Sequence, residues 1–428
     1  MLIQASPKNR ASELALQIYK QVLGRVRGDF LVHQTVQRVG SELFIQGHRI
    51  DLSAFARVLV CGAGKASIAM AHGLSEVLGD HCGGGLIVTK EGHAEPVAGL
   101  AVIEAGHPVP TQASLDAGQR MLEFAAQTDE ADLVLFLLSG GASSLMEAPI
   151  EGIELEDLIQ ANERLLGSGQ DIRAINAIRS QLSRSKGGGL ARAFAPATVI
   201  CLVLSDVVGN DLKTIGSAPF MSSRVEPNLP AGLIEQLPAS VRTQLNYPVL
   251  KREQPKVEHY VIGSVSLAIH EAAAAAKALG LTPLAYSDPL QGEARQMAKR
   301  IMREAARQSA HQNAPFCLIF GGETTVTLKG KGMGGRCQEM AAAASLPLSR
   351  LSNACFLAAG TDGTDGPTIA AGGIADSDTC RRAASKGLSI RKTMRENDSF
   401  RFLEAADALI LTGPTGSNVN DLALFVSS

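Results

Sequence analysis

The 428-residue sequence contains no tryptophan, and only 4% of its residues are aromatic. Its seven cysteines form no CxxC pair, and their odd number argues against a disulfide framework or a zinc site. No apolar run reaches the length of a membrane span, and the first ten residues lack the apolar core of a signal peptide. The net charge of -2 provides no basic footprint for nucleic acid or anionic membrane. We therefore expect a cytoplasmic protein that binds neither nucleic acid nor membrane.

Short apolar runs alternate with helical segments through the first half of the sequence. The runs are β-branched or leucine-rich, which indicates buried strands, and they lie at 57–61, 85–89, 132–138 and 198–204. The intervening helical segments lie near 64–79, 111–127 and 171–184. Buried strands separated by helices predict an α/β fold with a Rossmann-like, doubly wound parallel sheet.

The length favours two domains, and the alternation of strands and helices is interrupted between them. Residues 224–258 carry five prolines without a clean period, which indicates a surface connection. Alternation then resumes, and 315–320 and 323–328 resemble adjacent strands split by two glycines. The small polar turn that begins the segment 413–424 is expected to enter a helix. We therefore predict a Rossmann-like domain over 1–245 and a second α/β domain, with a mixed sheet, over 258–428.

Two glycine turns follow predicted strands in the first half. Gly62-Ala63-Gly64-Lys65 precedes a helix, and its lysine could meet a phosphate or carboxylate, although a tight turn with a solvated lysine explains it equally well. The turn lacks the third glycine of a dinucleotide fingerprint, because Ser67 stands there. The second turn is rich in groups that bind phosphate oxygens, which favours an anion site, and it comprises Ser139, Gly140, Gly141, Ala142, Ser143 and Ser144.

A third glycine cluster begins at Lys186-Gly187, after a run that contains three arginines. Arg173, Arg179 and Arg184 could form a solvated helix face or converge on an anion, and the sequence leaves both interpretations open.

Carboxylates accompany the remaining turns. Asp206 follows a predicted strand, where it could bind a ligand or cap the next segment. Glu323 and Arg336 flank a glycine-rich excursion, and Asp362 and Asp365 occupy two Asp-Gly turns. Asp-Gly is ordinary turn chemistry, but oxygen ligands on such turns also suit Mg²⁺. Together the turns predict a cleft between two domains that holds a polyanion and a divalent cation.

The ordered set of motifs resembles the glycerate 2-kinase family, whose C-terminal half is called the MOFRL domain. The matching segments span residues 62 to 422 and read GAGKAS, KEGHAEP, GHPVP, LLSGGASSL, SKGGGLA, SDVVGND, GGETTV, GGRCQE, AAGTDGTDGP and PTGSNVNDL. The resemblance implies ATP- and Mg²⁺-dependent phosphorylation of D-glycerate to 2-phosphoglycerate. It also implies that Lys65 and Arg336 act at the reacting groups.

The sequence departs from the family pattern at several positions. The family usually reads GGRNQE where this chain has Cys337 after Arg336. The stretch after Asp206 usually continues GD…SGP, whereas Asn210 and Ala218 stand at two of those positions. These differences put in question how the substrate is held and which hydroxy acid is preferred.

On this resemblance, we expect the nucleotide phosphates at Ser139 to Ser144, with Lys186 and Gly187 also on the nucleotide. Mg²⁺ would be held through Asp206, Glu323, Asp362 or Asp365, and Asp206 or Asp365 would accept the hydroxyl proton. Members of the family are often named hydroxypyruvate reductase, so an NAD(P)H-dependent reductase is one alternative. A non-catalytic sugar-phosphate-binding protein is another. D-glycerate is the expected partner, and a homodimer is left open.

Overall fold

The computed structural model describes residues 3–222, 230–245, 255–312 and 314–428. The chain divides into two compact units, which we call the first unit (residues 28–262) and the second unit (residues 1–27 and 263–428). Among the described residues, no helix is long and apolar enough to cross a membrane.

The first unit contains nine helices and nine strands among its described residues. Its helices are α2 (Gly28–Thr35), α3 (Ser67–Leu78), α4 (Gln112–Ala125), α5 (Ala142–Leu145), α6 (Leu155–Gly167), α7 (Ile172–Gln181), α8 (Gly189–Ala193), α9 (Ala231–Ile234) and α10 (Ala239–Leu245). Its strands are β1 (Val36–Val39), β2 (Glu42–Ile45), β3 (His48–Asp51), β4 (Arg57–Ala63), β5 (Cys82–Lys90), β6 (Leu100–Ala105), β7 (Asp132–Ser139), β8 (Thr198–Leu204) and β9 (Val257–Gly263).

The main sheet of the first unit has the order β6-β5-β4-β7-β8-β9, and its first five strands are parallel. All eight residues of β7 are buried, because helices cover both faces of the sheet. The chain builds outward from β4 to β6 on one side and from β7 to β8 on the other. The strand order therefore reverses between β4 and β7, which is where open α/β sheets bind ligands.

The strand and helix predictions for the first half are confirmed by β4, β5, β7 and β8 and by α3, α4 and α7. The small antiparallel sheet β1-β2-β3 was not predicted, because its strands have only four residues each. Part of the predicted connection 224–258 lies outside the described residues, and its described part contains the short helices α9 and α10.

The second unit combines the first helix of the chain with the second half. Its helices are α1 (Arg10–Arg25), α11 (Val265–Ala278), α12 (Ala294–Ser309), α13 (Arg336–Leu348), α14 (Thr379–Ser385), α15 (Ile390–Glu396) and α16 (Ser399–Ala405). Its strands are β10 (Thr282–Ala285), β11 (Phe316–Gly322), β12 (Ala354–Gly360), β13 (Gly372–Asp376), β14 (Leu409–Ile410) and β15 (Asp421–Ser427).

The second sheet has the order β10-β11-β15-β12-β13-β14. Strands β10 and β11 are parallel, whereas β15 runs antiparallel to both of its neighbours, so the predicted mixed sheet is confirmed. Two local predictions were wrong. Residues 323–328 do not form a strand beside 315–320, because 322–325 makes only isolated bridges to 290–293. The turn 413–420 enters strand β15 rather than a helix.

Helix α1 belongs to the second unit, although the sequence-based boundary placed it in a domain over 1–245. Asn9 caps the helix together with Ser12, and the apolar face contains Leu14, Ile18 and Val22, which are all buried. This face packs against α11, β12 and β15. The domain boundaries at 245 and 258 stay a prediction. Residues 10–25 pack with the second unit, although they precede the first unit in the sequence.

Candidate active site

The carboxyl ends of β4 and β7 lie side by side where the strand order reverses. The amide of Lys65 donates to the carbonyl of Gly140 at 3.0 Å, and the amide of Ala66 donates to the hydroxyl of Ser139 at 3.0 Å. Gly64 has a φ of +134°, and a Cβ there would lie 2.1 Å from the Ser139 hydroxyl, so only glycine fits. The two predicted glycine turns therefore form one continuous surface of the first unit.

The backbone amides of the first turn are used inside the protein. Besides the two bonds just described, the amide of Gly64 donates to the carbonyl of Val88, and that of Ser67 donates to the carbonyl of Gly64. A dinucleotide turn instead directs such amides at a pyrophosphate. The geometry thus agrees with the incomplete fingerprint of the sequence.

The second turn approaches a histidine that the sequence analysis did not select. Gly141 has a φ of +89°, and a Cβ on it would lie 3.0 Å from the ring of His107 and 3.4 Å from the Cγ of Lys65. The structure therefore brings Lys65, His107 and the Ser-Gly-Gly turn together at the end of the sheet. His107 belongs to the GHPVP segment, which was part of the family resemblance and carried no assigned role.

The serine side of the second turn is connected to helix α7. The hydroxyls of Ser143 and Ser217 lie 2.9 Å apart, and the Nη2 of Arg179 donates to the Ser143 hydroxyl at 2.9 Å. The Oδ1 of Asn176 accepts from Ser217 and from the Nη1 of Arg179, each at 3.4 Å. Four polar side chains from three separate segments thus meet at this turn.

The other two residues assigned to this turn have local roles. Ala142 is 1% exposed and belongs to the apolar core of the unit, so only its backbone can contact a ligand. The Ser144 hydroxyl donates to the carbonyl of Gly141 at 3.2 Å.

Lys186 and Gly187 lie next to Ser217, one of the four polar residues at the serine turn. The Lys186 ammonium is 3% exposed and forms an ion pair with Glu147, which is also buried. Burial lowers the pKa of Lys186 to about 8, although Glu147 opposes the shift. The amide of Gly187 donates to the carbonyl of Ser217 at 3.1 Å. The structure thus gives the predicted nucleotide-binding lysine an internal partner, and contact with a nucleotide stays a prediction.

Asp206 follows β8 by two residues and is half-buried. Ser139 pairs in register with Leu204, so Asp206 extends from the same edge of the sheet as the serine turn.

A second polar group lies at one edge of the sheet in the second unit. Asp421, at the start of β15, pairs in register with Gly322 at the end of β11 and with Gly360 at the end of β12. The guanidinium of Arg336 binds both oxygens of the Asp421 carboxylate and also donates to Glu323 at 2.6 Å. Burial lowers the pKa of Arg336, but the carboxylates of Asp421 and Glu323 outweigh this effect and raise it overall.

Asp365 caps the helix that begins at Arg336. Its Oδ1 accepts from the amide of Cys337 at 3.2 Å, and its Oδ2 accepts from the amide of Gln338 at 2.8 Å. Burial and the nearby carboxylate of Asp421 raise the pKa of Asp365 to about 7. The side chain is thus placed to satisfy free amides at a helix N-terminus, and its proton affinity lies near neutrality.

The neighbouring Asp-Gly turn is held by its own backbone. The carboxylate of Asp362 accepts from the amide of Thr364 at 3.0 Å and from its hydroxyl at 3.2 Å. Below it, the hydroxyl of Tyr19 on helix α1 donates to the carbonyl of Gly360 at 2.7 Å. Cys337 is fully buried in this region, and its burial raises the pKa of the thiol well above its usual range.

The predicted metal ligands do not form a ready-made cage. Among the described residues, no group of three histidine, cysteine, aspartate or glutamate side chains is arranged to hold a metal ion. Mg²⁺ commonly takes only one or two protein carboxylates together with water and substrate phosphates, so the predicted carboxylates still suit that role.

Two residues of these groups, Asp421 and His107, were not selected from the sequence, and Arg179 was left open between a solvated helix face and an anion site. Asp421 lies in the quoted segment PTGSNVNDL, but the segment was expected to enter a helix, so the strand-end position of the aspartate was not recognised. His107 lacked any local signal, and the run of three arginines did not show which member turns toward the serine turn, because both relations depend on long-range contacts.

Comparison with protein-family models gives two matches that together cover most of the chain. A model described as a domain of unknown function, DUF4147, matches residues 14–246, and the MOFRL family model matches residues 316–421.

Individual relatives match nearly the full length. A D-glycerate 2-kinase from Thermotoga maritima is 38% identical over 420 residues, which cover 96% of this chain and 97% of the relative. A protein from Agrobacterium vitis named as a hydroxypyruvate reductase is 38% identical over 377 residues, covering 86% of this chain and 98% of the relative. A crystal structure of the glycerate kinase from Thermotoga maritima superposes with a TM-score of 0.80 at 38% identity, covering 97% of this chain and 99% of that one.

Proposed function

Because this chain belongs to the glycerate 2-kinase family, we propose that it transfers the γ-phosphoryl group of ATP to the 2-hydroxyl of D-glycerate. The hydroxyl oxygen forms the new bond to phosphorus, the bond to the β-phosphate oxygen breaks, and the hydroxyl proton passes to a base. The products are ADP and 2-phosphoglycerate.

One structural observation supports this proposal most strongly. The ends of β4 and β7 bring Lys65 beside a turn of glycines and serines at the position where the strand order reverses. Phosphoryl transfer needs little covalent help from the protein, and it depends on positioning and on compensation of negative charge. A lysine and a cluster of hydroxyl donors at a ligand-binding edge provide both.

We assign the nucleotide phosphates to residues 139–144, where the hydroxyl of Ser143 already accepts from the guanidinium of Arg179. Lys65 extends from the adjacent turn and would neutralise charge on the moving phosphoryl group. A compact ammonium suits a role as a point charge rather than a bidentate grip.

Mg²⁺, when bound, would supply positive charge that offsets the charge of the phosphates. Asp206, Glu323, Asp362 and Asp365 remain the proposed ligands. Asp365 is the least suited of the four, because both of its oxygens already accept hydrogen bonds from the start of α13. Glu323 would have to share its carboxylate with Arg336.

Arg336 is proposed to act on glycerate's carboxylate or on the γ-phosphoryl group. Its guanidinium is only one-third exposed, and the carboxylates of Glu323 and Asp421 fix its orientation. The remaining N–H donors of Arg336 are therefore held in a fixed direction. Asp206 and Asp365 remain the two proposed bases for the hydroxyl proton. Burial and the carboxylate of Asp421 raise the pKa of Asp365 to about 7, which suits a group that accepts a proton near neutral pH.

The reductase alternative is disfavoured by the first turn. Its amides donate to Val88, Gly140, Ser139 and Gly64, so they are not available to a dinucleotide pyrophosphate. The name hydroxypyruvate reductase nevertheless occurs among the relatives, and the test below includes that reaction. A cytoplasmic location and a homodimer stay predictions.

The test is a product assay with purified protein. With ATP, MgCl₂ and D-glycerate, we expect ADP to form in step with 2-phosphoglycerate, identified by phosphorus NMR. L-glycerate and hydroxypyruvate serve as matched acceptors, and a parallel reaction contains NADH and hydroxypyruvate. Oxidation of NADH without ADP formation in the kinase reaction would refute the proposal.

A further inference from the structure

The three arginines on and after helix α7 lie in different environments. The Arg173 side chain is 69% exposed and pairs with Asp211. Arg184 is also exposed and donates to Gln119 and to the carbonyl of Pro149. Of the three arginines, Arg179 alone contacts the serine turn, and the other two lie at the surface.

The guanidinium of Arg179 has unused donor capacity at a buried position. Its Nη2 donates to the Ser143 hydroxyl at 2.9 Å, and its Nη1 lies 3.4 Å from the Oδ1 of Asn176. Its Nε is buried and has no hydrogen-bond partner among the described residues. Leaving a buried donor of a charged group unsatisfied is costly, so such atoms commonly face a ligand or an ordered water.

The charges around the cluster leave an excess of positive charge. Glu147 is the acidic residue that acts on both Arg179 and Lys186, and its carboxylate is already paired with Lys186. Within the described part of the chain, Arg179 makes no ion pair of its own. The buried Lys186 and the half-buried Arg179 thus share one carboxylate, and an anion beside Arg179 would balance the second cation.

We propose that Arg179, together with the hydroxyls of Ser143 and Ser217, binds anionic oxygens of a substrate, either a phosphate of the nucleotide or the carboxylate of glycerate. A guanidinium presents several donors in one plane, which suits both groups. Ser143 accepts from Arg179, and when the Ser217 hydroxyl donates to Ser143, the proton of Ser143 is left to donate to the same anion. The inference rests on the proposed kinase function for the identity of these two substrates.

The test compares Arg179→Gln, Arg179→Lys and Ser143→Ala with the wild type and with Arg173→Gln. The last is a matched control, because Arg173 lies on the same helix and its side chain is exposed. Titration calorimetry measures the binding of ATP, ADP, inorganic phosphate and D-glycerate separately, each with MgCl₂. Steady-state kinetics provide KM for ATP and for D-glycerate.

We expect Arg179→Gln to weaken one ligand class by about 10- to 100-fold, the range for loss of a hydrogen bond to a charged group. Weaker binding of ATP, ADP and phosphate would identify the nucleotide as the source, and weaker binding of D-glycerate alone would identify the acceptor. Arg179→Lys should lose less, and the control should remain within about twofold.

Unchanged binding of all four ligands to Arg179→Gln and Ser143→Ala would overturn the inference. If Arg179→Gln unfolds, Ser143→Ala decides the outcome, since it removes a ligand-facing hydroxyl and keeps the buried cation. A wild type that binds phosphate compounds without making 2-phosphoglycerate would refute the kinase proposal and leave the binding test intact.

Discussion

The guanidinium of Arg336 and the carboxylate of Asp421 form a bidentate pair, with Nε to Oδ2 at 2.6 Å and Nη2 to Oδ1 at 3.0 Å. The Asp421 side chain is 4% exposed, so the arginine provides the charge that allows a carboxylate to remain buried there. Arg336 therefore has a structural role in addition to the catalytic role proposed from the family resemblance.

Arg336→Ala should lower both stability and activity. Loss of the arginine leaves Asp421 buried without its partner. We expect a loss of about 1–3 kcal/mol in the free energy of unfolding, discounted for the partial exposure of Arg336. Thermal and denaturant unfolding measure it. The double variant Arg336→Ala/Asp421→Asn should recover part of the loss, and no recovery would contradict the pairing argument.

Lys65→Ala should reduce kcat/KM by about 100-fold or more, because loss of a positioned cation at a phosphoryl-transfer site costs roughly 3 kcal/mol. Its melting temperature should stay near that of the wild type. Lys256→Ala is a suitable control, since that side chain is 90% exposed in the same unit. Kinetics with ATP and D-glycerate measure the effect.

The double variant Lys65→Ala/Arg336→Ala tests whether the two cations stabilise the same transition state. If they do, the losses in kcat/KM should fail to add. Fully additive losses would indicate that the two residues act on separate steps.

The pH dependence of stability should contain a contribution from Asp365. Its folded-state pKa is raised from 3.8 to about 7, so between these values the folded protein holds a proton that the unfolded chain releases. Its contribution to stability is therefore greatest at low pH, falls as the pH rises toward about 7, and is constant above that. We expect Asp365→Asn to lack this fall in stability with rising pH. The difference in melting temperature between wild type and variant, measured from about pH 5 to pH 8, should change with pH, and a constant difference would refute the shift.

Ala218→Gly should stabilise the protein. Ala218 has a φ of +56° and a ψ of +58°, in the left-handed region that disfavours side chains. We expect a gain of about 0.5–1 kcal/mol after the greater freedom of glycine in the unfolded chain is subtracted. Ala306→Gly is the control, because it lies exposed within helix α12 and should instead destabilise by about 1 kcal/mol. Unfolding experiments on both variants decide the prediction.

The parallel sheet could be predicted from the sequence because its strands carry their own signal. All residues of β7 and six of the seven residues of β8 are buried, so both appear as continuous apolar runs. The glycine turns were recognisable for a related reason, since a backbone with positive φ selects glycine at positions such as 64 and 141.

The partners within the site could not be predicted in the same way. The contact between Arg179 and Ser143 joins residues 36 positions apart, and that between Arg336 and Asp421 joins residues 85 apart. Neither separation leaves a local pattern. The strand β15 was mistaken for a helix because small polar residues at a turn are equally common before either element.

The position of β15 also has a consequence for the order in which the two units can fold during synthesis. This strand lies between β11 and β12, and helix α1, from the other end of the chain, packs against β12 and β15. The first unit is continuous from residue 28 to 262 and can fold while translation proceeds. The second sheet lacks its central strand until residues 421–427 leave the ribosome. Helix α1 is made before all three of its partners, so its apolar face can be covered by α11 once residue 278 has been made but stays open on the sheet side until β12 and β15 have emerged.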